Sequence, residues 1–350
     1  MAQHRSTNEK GMMMQVEYSK RLGSISPEQF QRALDHFNLG QFIRAEAIPF
    51  GLFGQNVFVT STKGEYVLRG AAHYDWQFPK EQFIANLLHD RTTVPAPWPY
   101  LIDTDESIFG WAYGYVFMPL MPGLQLASGE VAKTLSPQDR QAIAFTIGEN
   151  LREIQRAQWP FAGQYDLRTQ TIAPFENGFD GWLVSEVRRF LQLSLSYDTG
   201  ASQADAEWIE SIIQTAAGSL KLPYTPVLVL HDYREPNLTV SKQADRWVVS
   251  GVFDLMEALS GDGELDLIRQ LATYIEGNQL AWAQAFLDGY RKSTPLRPQA
   301  QQRLALYMVY DRIVVWEYYH RPANISLFPN QTSIEAWITT YLNQLASLLK

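Results

Sequence analysis

The 350-residue chain contains no cysteine. That excludes disulfide frameworks, thiolate metal centres and cysteine nucleophiles together, and it fits a reducing compartment. Long apolar runs are also missing. No stretch approaches the roughly 18 uninterrupted apolar residues that cross a bilayer, and the opening MAQHRSTNEKGMMMQ lacks the apolar stretch of a signal peptide. Basic residues are in deficit: 29 Lys and Arg stand against 37 Asp and Glu, for a net charge of −8. Nucleic-acid binding needs basic stripes that displace counterions, and this balance argues against it. There is no G-x-x-x-x-G-K-[ST] phosphate loop and no G-x-S-x-G nucleophile turn. The expectation is a cytoplasmic protein with neither membrane nor nucleic-acid partner.

What is present is enough for a substantial core. Hydrophobic residues make up 46% and charged residues 19% of the chain, and the length suits one large two-lobed unit or two modest domains. Residues 1–25 read as a flexible tail. Ser26-Pro27-Glu28-Gln29 is a helix start, with Ser26 as N-cap, Pro27 in the first turn and Gln29 able to reach back. That helix should run to about Asn38. Glycine-interrupted alternating runs over 45–61 and 64–70 predict antiparallel strands, 79–90 predicts a helix, and 108–119 predicts two more strands. Met118-Pro119-Leu120-Met121-Pro122-Gly123 breaks the pattern as a hinge. Beyond it the spacing is helical over 137–157, 181–194, 204–217, 264–275, 280–292 and 298–320. A last helix follows the capping box Thr332-Ser333-Ile334-Glu335. Two strand-like runs, 227–230 and 247–252, flank a polar loop inside this helical half. The predicted class is α+β: a sheet-rich N-terminal lobe with a helix over 26–122, and a larger helical lobe with an embedded hairpin over 123–350.

The hairpin carries the chemistry. Its first strand ends in His231-Asp232, its loop presents Asn237, and its second strand delivers Asp254. Asp and Asn are poor strand and core residues, so three of them at strand ends call for a reason. Phosphoryl transfer supplies one. It needs an oxygen base near the acceptor hydroxyl and hard oxygen ligands for Mg²⁺. Asp232 suits the base, and Asn237 and Asp254 suit the metal. Protein kinases use the same spacing, an Asp with Asn five positions on and a metal-binding Asp downstream.

Leu230-His231-Asp232-Tyr233-Arg234-Glu235-Pro236-Asn237 resembles the His-Gly-Asp-x-x-x-x-Asn loop of the aminoglycoside phosphotransferases and choline-kinase-like enzymes. Gly251-Val252-Phe253-Asp254-Leu255-Met256-Glu257-Ala258, with Gly261-Asp262 and Asp266-Leu267, is similar to that family's second signature. Leu230-His231 stands where His-Gly is usual, and Gly263 where proline is common, so His231 cannot be given the role of the family's histidine; a capped loop residue is the simpler reading. The resemblance covers about residues 39–292 and implies a protein-kinase-like two-lobed fold with its active site in the cleft. It further implies that Arg69, ending the strand Gly64–Arg69, contacts nucleotide phosphates with Glu81 holding it. Gly54, in Gly51-Leu52-Phe53-Gly54, stands where a phosphate-covering loop belongs, although a plain β-turn explains it equally well. Met118 and Leu120 occupy the hinge that would bind the base. The cofactors implied are ATP, with GTP also open, and Mg²⁺; the partners are that nucleotide and a small-molecule hydroxyl.

Gly261 follows Asp254 by only seven positions, too few for the long activation loop of a protein kinase, which favours a small acceptor. Glu257, Asp262 and Trp282 are candidate acceptor contacts for an amine, through charge and cation–π attraction. The alternative is a catalytically silent nucleotide-binding module that regulates a partner. Loss of base or metal ligands usually marks such proteins, and all three are present here. The dyads His89-Asp90 and His231-Asp232 invite an HD-type metallophosphohydrolase, but six histidines and a strand context fit that class poorly.

Overall fold

The computed structural model describes residues 16–48, 53–126, 129–197, 200–321 and 333–350. Met12 to Met14, Gly51, Leu52 and Thr332 lie outside these. The chain divides into two compact units, Met1–Gln82 with Pro97–Leu120, and Phe83–Ala96 with Met121–Lys350.

The first unit opens with strands β1 (Val16–Ser19) and β2 (Gly23–Ile25), which pair antiparallel inside the stretch expected to be a tail. Helix α1 (Pro27–His36) starts as its sequence predicts. The Ser26 hydroxyl accepts from the Gln29 N–H at 3.3 Å, and Gln29 Oε1 accepts from the Ser26 N–H at 2.9 Å. Strands β3 (Phe42–Ala47), β4 (Asn56–Ser61) and β5 (Gly64–Gly70) follow, then helix α2 (Gln77–Arg91), within which the division between units falls. Strands β6 (Leu101–Asp103) and β7 (Tyr115–Pro119) complete an antiparallel sheet of order β3-β4-β5-β7-β6. The run over 108–119 thus yields one strand, not two. Ile108 and Trp111 are apolar because a loop tucks them into the core with Phe30, Leu34, Val57, Leu68 and Phe117. Burial, not pairing, accounts for that half of the pattern.

The second unit contains β8 (Leu124–Gln125), α3 (Gly129–Thr134) and α4 (Pro137–Ile154), then a hairpin of β9 (Gly163–Asp166) and β10 (Thr171–Pro174). Helices α5 (Gly178–Ser196) and α6 (Gln203–Leu220) lead to β11 (Val227–Val229). A 3₁₀ turn (Glu235–Asn237) separates it from β12 (Leu238–Gln243), which pairs antiparallel with β13 (Arg246–Val252). Then come β14 (Leu259–Gly261), a second 3₁₀ turn (Gly263–Asp266), α7 (Leu267–Glu276), α8 (Leu280–Arg291), α9 (Ala300–His320) and α10 (Ile334–Leu348).

Two small sheets frame the loop after β11. In one the order is β13-β12-β8, in the other β10-β9-β14-β11. The β9–β10 hairpin has no counterpart among the sequence expectations, because four-residue strands bounded by polar turn residues carry almost no periodicity. Helices α4 and α8 cross at two glycines. A Cβ on Gly148 would sit 2.1 Å from the Phe286 carbonyl oxygen, and one on Gly289 would sit 2.0 Å from that of Phe145.

Candidate active site

In the second unit, β11 is buried along its whole length and pairs antiparallel with β14, so its end is fixed by the core. The chain leaves it through Leu230 and His231, whose N–H groups both donate to Asp266, to Oδ2 and Oδ1 at 2.6 Å each. Asp266 is fully buried, and burial pushes its carboxyl up to about 7, helped by the nearby Asp232 charge and opposed by those two N–H donors. The carboxylate therefore substitutes for a strand partner at the point where the strand stops. His231 takes a left-handed backbone, φ +66°, and its ring stacks on Tyr310 with centroids 5.2 Å apart and planes at 9°.

Asp232 and Asn237 meet directly. The Asn237 side-chain amide donates to the Asp232 carbonyl at 2.9 Å and to Asp232 Oδ2 at 2.8 Å. Because the NH₂ is turned to Asp232, Oδ1 is the Asn237 atom whose lone pairs are left for a cation. Asp232 Oδ1 lies 2.9 Å from Arg234 Nε and 3.3 Å from Arg269 Nε. The second arginine belongs to α7, Gln270 follows it there, and Asp266 is the cap just before that helix. Gln270 Oε1 accepts from the Glu235 N–H at 2.7 Å, while Asp266 holds the backbone at 230–231. Residues at i, i+3 and i+4 share one helix face, so one turn at the start of α7 holds the loop at three points. Glu235 is itself buried, bonded to Arg140 at 2.7 Å and to Tyr274 Oη at 2.7 Å.

Asp254 is brought to the same loop by the β12–β13 ladder. Leu238 pairs with Val252, and the next N–H, that of Phe253, donates to the Asn237 carbonyl at 3.1 Å. Asp254 follows with φ +64°, a left-handed conformation that disfavours a residue with a side chain. The three polar residues singled out from the sequence thus share one loop–strand junction. Asn237 and Asp254 offer hard oxygen donors, the set Mg²⁺ takes with waters and phosphates completing its octahedron. Among the described residues no three Asp, Glu or His side chains cluster as a metal-holding group.

In the first unit, Arg69 near the end of β5 pairs with Glu81 on α2 at 3.0 Å. Both side chains are more than nine-tenths buried. Glu81 also accepts from Tyr100 Oη and, at 3.3 Å, from Gln77 Nε2. Gly54 lies just ahead of β4 with φ +61°, and its carbonyl accepts from the Ser19 hydroxyl at 2.6 Å. Met118 is buried in β7, and the Leu120 N–H donates to the Glu65 carbonyl at 3.1 Å.

Two expected acceptor contacts already have partners within the chain. Asp262 is 3% exposed and ringed by Arg297, Tyr307 Oη and the Glu264 N–H, while Glu264 in turn pairs with Arg303. With its oxygens taken inside the protein it anchors α9 to the second 3₁₀ turn and does not reach a ligand. The Arg140 guanidinium lies 4.5 Å from the ring centroid of half-buried Trp282, so one face of the ring is already used by a cation of the same chain. Glu257 is exposed, three residues after Asp254. Sequence reasoning missed Arg269, Gln270, Asp311 and Arg140. Their signal, polar residues at helical spacing on otherwise apolar faces, is indistinguishable from a solvated face until the fold buries it. A cavity of about 360 Å³ lined by Asp180, Arg188, Ile213 and Lys221 includes none of the site residues.

The sequence profile of the phosphotransferase enzyme family (APH) matches residues 44–307. No curated protein matches in sequence. Solved structures do match in shape. Aminoglycoside 2'-phosphotransferase-IIIa in complex with GDP is 13% identical, with TM-score 0.61 over 95% of this chain and 99% of that one. A thermostable mutant of aminoglycoside phosphotransferase APH(4)-Ia, in ternary complex with ADP and hygromycin B, is 14% identical, with TM-score 0.59 over 91% and 97%. Macrolide 2'-phosphotransferase MphH from Brachybacterium faecium is 14% identical, with TM-score 0.56 over 90% and 98%. The fold is the protein-kinase-like α+β fold expected from the hairpin and its neighbours.

Proposed function

The chain belongs to the phosphotransferase enzyme family, and from that premise we propose that it moves the γ-phosphoryl group of a nucleoside triphosphate to the hydroxyl of a small molecule. The observation that carries this reading is the contact between Asp232 and Asn237, with Asp254 leaving the paired strand beside them. The nucleotide is ATP or GTP, a choice supported by structural neighbours held with ADP and with GDP. An acceptor of natural-product size has support in the hygromycin B complex of one neighbour.

Asp232 takes the acceptor's proton as the oxygen attacks phosphorus, and the nucleoside diphosphate leaves with the bridging oxygen. Asn237 fixes the Asp232 carboxylate with its NH₂ and keeps Oδ1 for the cation, together with the Asp254 carboxylate. A Mg²⁺ held there would neutralise charge on the phosphate oxygens. Arg69, oriented by Glu81, is the phosphate-contacting cation of the first unit, and its planar fork suits phosphate oxygens. Met118, Leu120 and Gly54 are contacts proposed for the nucleotide, and Glu257 for the acceptor.

Labelled ATP and Mg²⁺ offered with a panel of amino alcohols, aminoglycosides, macrolides and sugars test the proposal. One acceptor should gain label, and Asp232→Asn should cut transfer by on the order of a hundredfold or more while nucleotide still binds. Nucleotide binding with no labelled acceptor would instead support a regulatory module. Full transfer by Asp232→Asn would remove the base assignment.

A further inference from the structure

Asp232 sits on a loop, and a proton acceptor on a loop needs a rigid reference. Asn237 and Arg234 both touch it, but they belong to the same loop and move with it. Arg269 does not. It stands on α7, its side chain is 16% exposed, and its Nε lies between two carboxylates, 3.3 Å from Asp232 Oδ1 and 2.9 Å from Asp311 Oδ1. Asp311, on α9, is 2% exposed and is held from its other oxygen by Arg312, which pairs in turn with Glu276 at the end of α7. Burial alone would raise the Asp311 carboxyl, but Arg269 and Arg312 outweigh it and hold the group below the usual range, so Asp311 stays charged.

The geometry points to Arg269 as a positioning residue for Asp232, with Asp311 setting how strongly it pulls. This rests on the phosphotransfer reading and extends it. A lone guanidinium against Asp232 would orient the carboxylate but also bind its lone pairs, making it a poor proton acceptor. Asp311 is the nearer partner, and since the Arg269 Nε–H is aligned with neither carboxylate for a hydrogen bond, charge holds both and the nearer one more strongly. The longer contact to Asp232 keeps direction without full ion pairing. Charge along this row alternates Asp232, Arg269, Asp311, Arg312, Glu276, so no buried member lacks an opposite neighbour.

Removing each member gives a different result. Arg269→Gln leaves Asp232 with contacts from its own loop only. Asp311→Asn leaves Arg269 wholly to Asp232, clamping the base. Both slow proton transfer, yet in the double variant there is no arginine left to overclamp, so it should behave as Arg269→Gln alone. Independent structural damage would add instead.

The test uses the full chain with ATP and Mg²⁺ and water as the acceptor, read as phosphate release at saturating nucleotide. Arg269→Gln should lower kcat about tenfold with the nucleotide KM within about twofold, and Arg269→Lys, which restores a cation between the carboxylates, should recover most of the rate. Asp311→Asn should fall similarly and the double variant no further than Arg269→Gln. Melting temperatures establish that each variant is folded; should Asp311→Asn not fold, the Gln and Lys variants at 269 decide alone. Unchanged kcat in Arg269→Gln overturns the inference. So does a loss in which kcat, KM and melting temperature fall together with no recovery by lysine, because that is a structural role. Asp232→Asn run in parallel separates the two levels. If it retains the wild-type rate, the assignment of Asp232 as base fails and takes this inference with it; a wild type inert towards water is assayed instead with the acceptor that the panel labels. If Asp232→Asn is slow and Arg269→Gln is not, only the role of Arg269 is lost.

Discussion

Asp266 shows how a single buried carboxyl shapes the loop and ties stability to pH. The folded chain keeps this proton to about pH 7, whereas an unfolded aspartate releases it near ~3.9. The folded state therefore binds more protons between those values. The stability this group contributes is complete below ~3.9 and is lost as pH rises through 7, by up to about 1.4 kcal/mol per pH unit within the window. Asp266→Asn should flatten that slope in denaturant titrations run from pH 4 to 7. It should also cost about 1–3 kcal/mol, because an amide can accept only one of the N–H groups of Leu230 and His231 and turns a donor towards the other. A slope identical to wild type would contradict the assignment. Asp266 was visible in the sequence as part of an Asp-Leu pair, and Asp262 as its neighbour, but not their division of labour. One holds the strand end before Asp232 and the other is closed inside an arginine and tyrosine cage. Composition cannot distinguish a carboxylate that meets a ligand from one that meets Arg297.

At the scale of elements, local rules were legible and tertiary ones were not. Ser26-Pro27-x-Gln29 and Ser136-Pro137-x-Asp139 both close the capping boxes their residue types dictate. The hairpin expected around Asn237 is an exception: the run over 247–252 pairs with Leu238–Gln243, whereas Val227–Val229 pairs with Leu259–Gly261 in the other sheet, because each short run takes the partner that the fold sets beside it. What decides the crossing of α4 and α8, by contrast, is a pair of glycines far apart in the chain, neither of which carries a signal in a 3.6-residue pattern. Each lies against a carbonyl of the other helix, so Gly148→Ala should force the helices apart. Overpacking in a core costs about 1–3 kcal/mol, and contact with rigid backbone places this change at the upper end, offset only in small part by the better helix propensity of alanine. Chemical denaturation of Gly148→Ala measures it; a variant as stable as wild type would contradict the close crossing. Strands β9, β10 and β14 were equally hidden, being three or four residues long and stabilised by one another rather than by periodicity.

For the molecule as a whole, the family match spans 44–307 and so includes both the Arg69–Glu81 pair of the first unit and the Asp232–Asn237–Asp254 junction of the second. The order of these residues along the chain was enough to infer the fold, because the kinase-like arrangement distributes its polar groups over strand ends and loop turns where few other uses exist for them. The acceptor was not legible, since the carboxylates and aromatic rings offered for it in the sequence suit a solvated face or a core equally well. Of everything proposed, the placing of one cation is the claim on which the rest depends. A crystal structure grown with Mn²⁺ and a non-hydrolysable ATP analogue measures it directly through the anomalous signal of the metal. The account predicts a manganese peak within about 2.0–2.3 Å of Asn237 Oδ1 and an Asp254 carboxylate oxygen, with phosphate oxygens completing its shell. A nucleotide-bound metal that touches neither residue would contradict it.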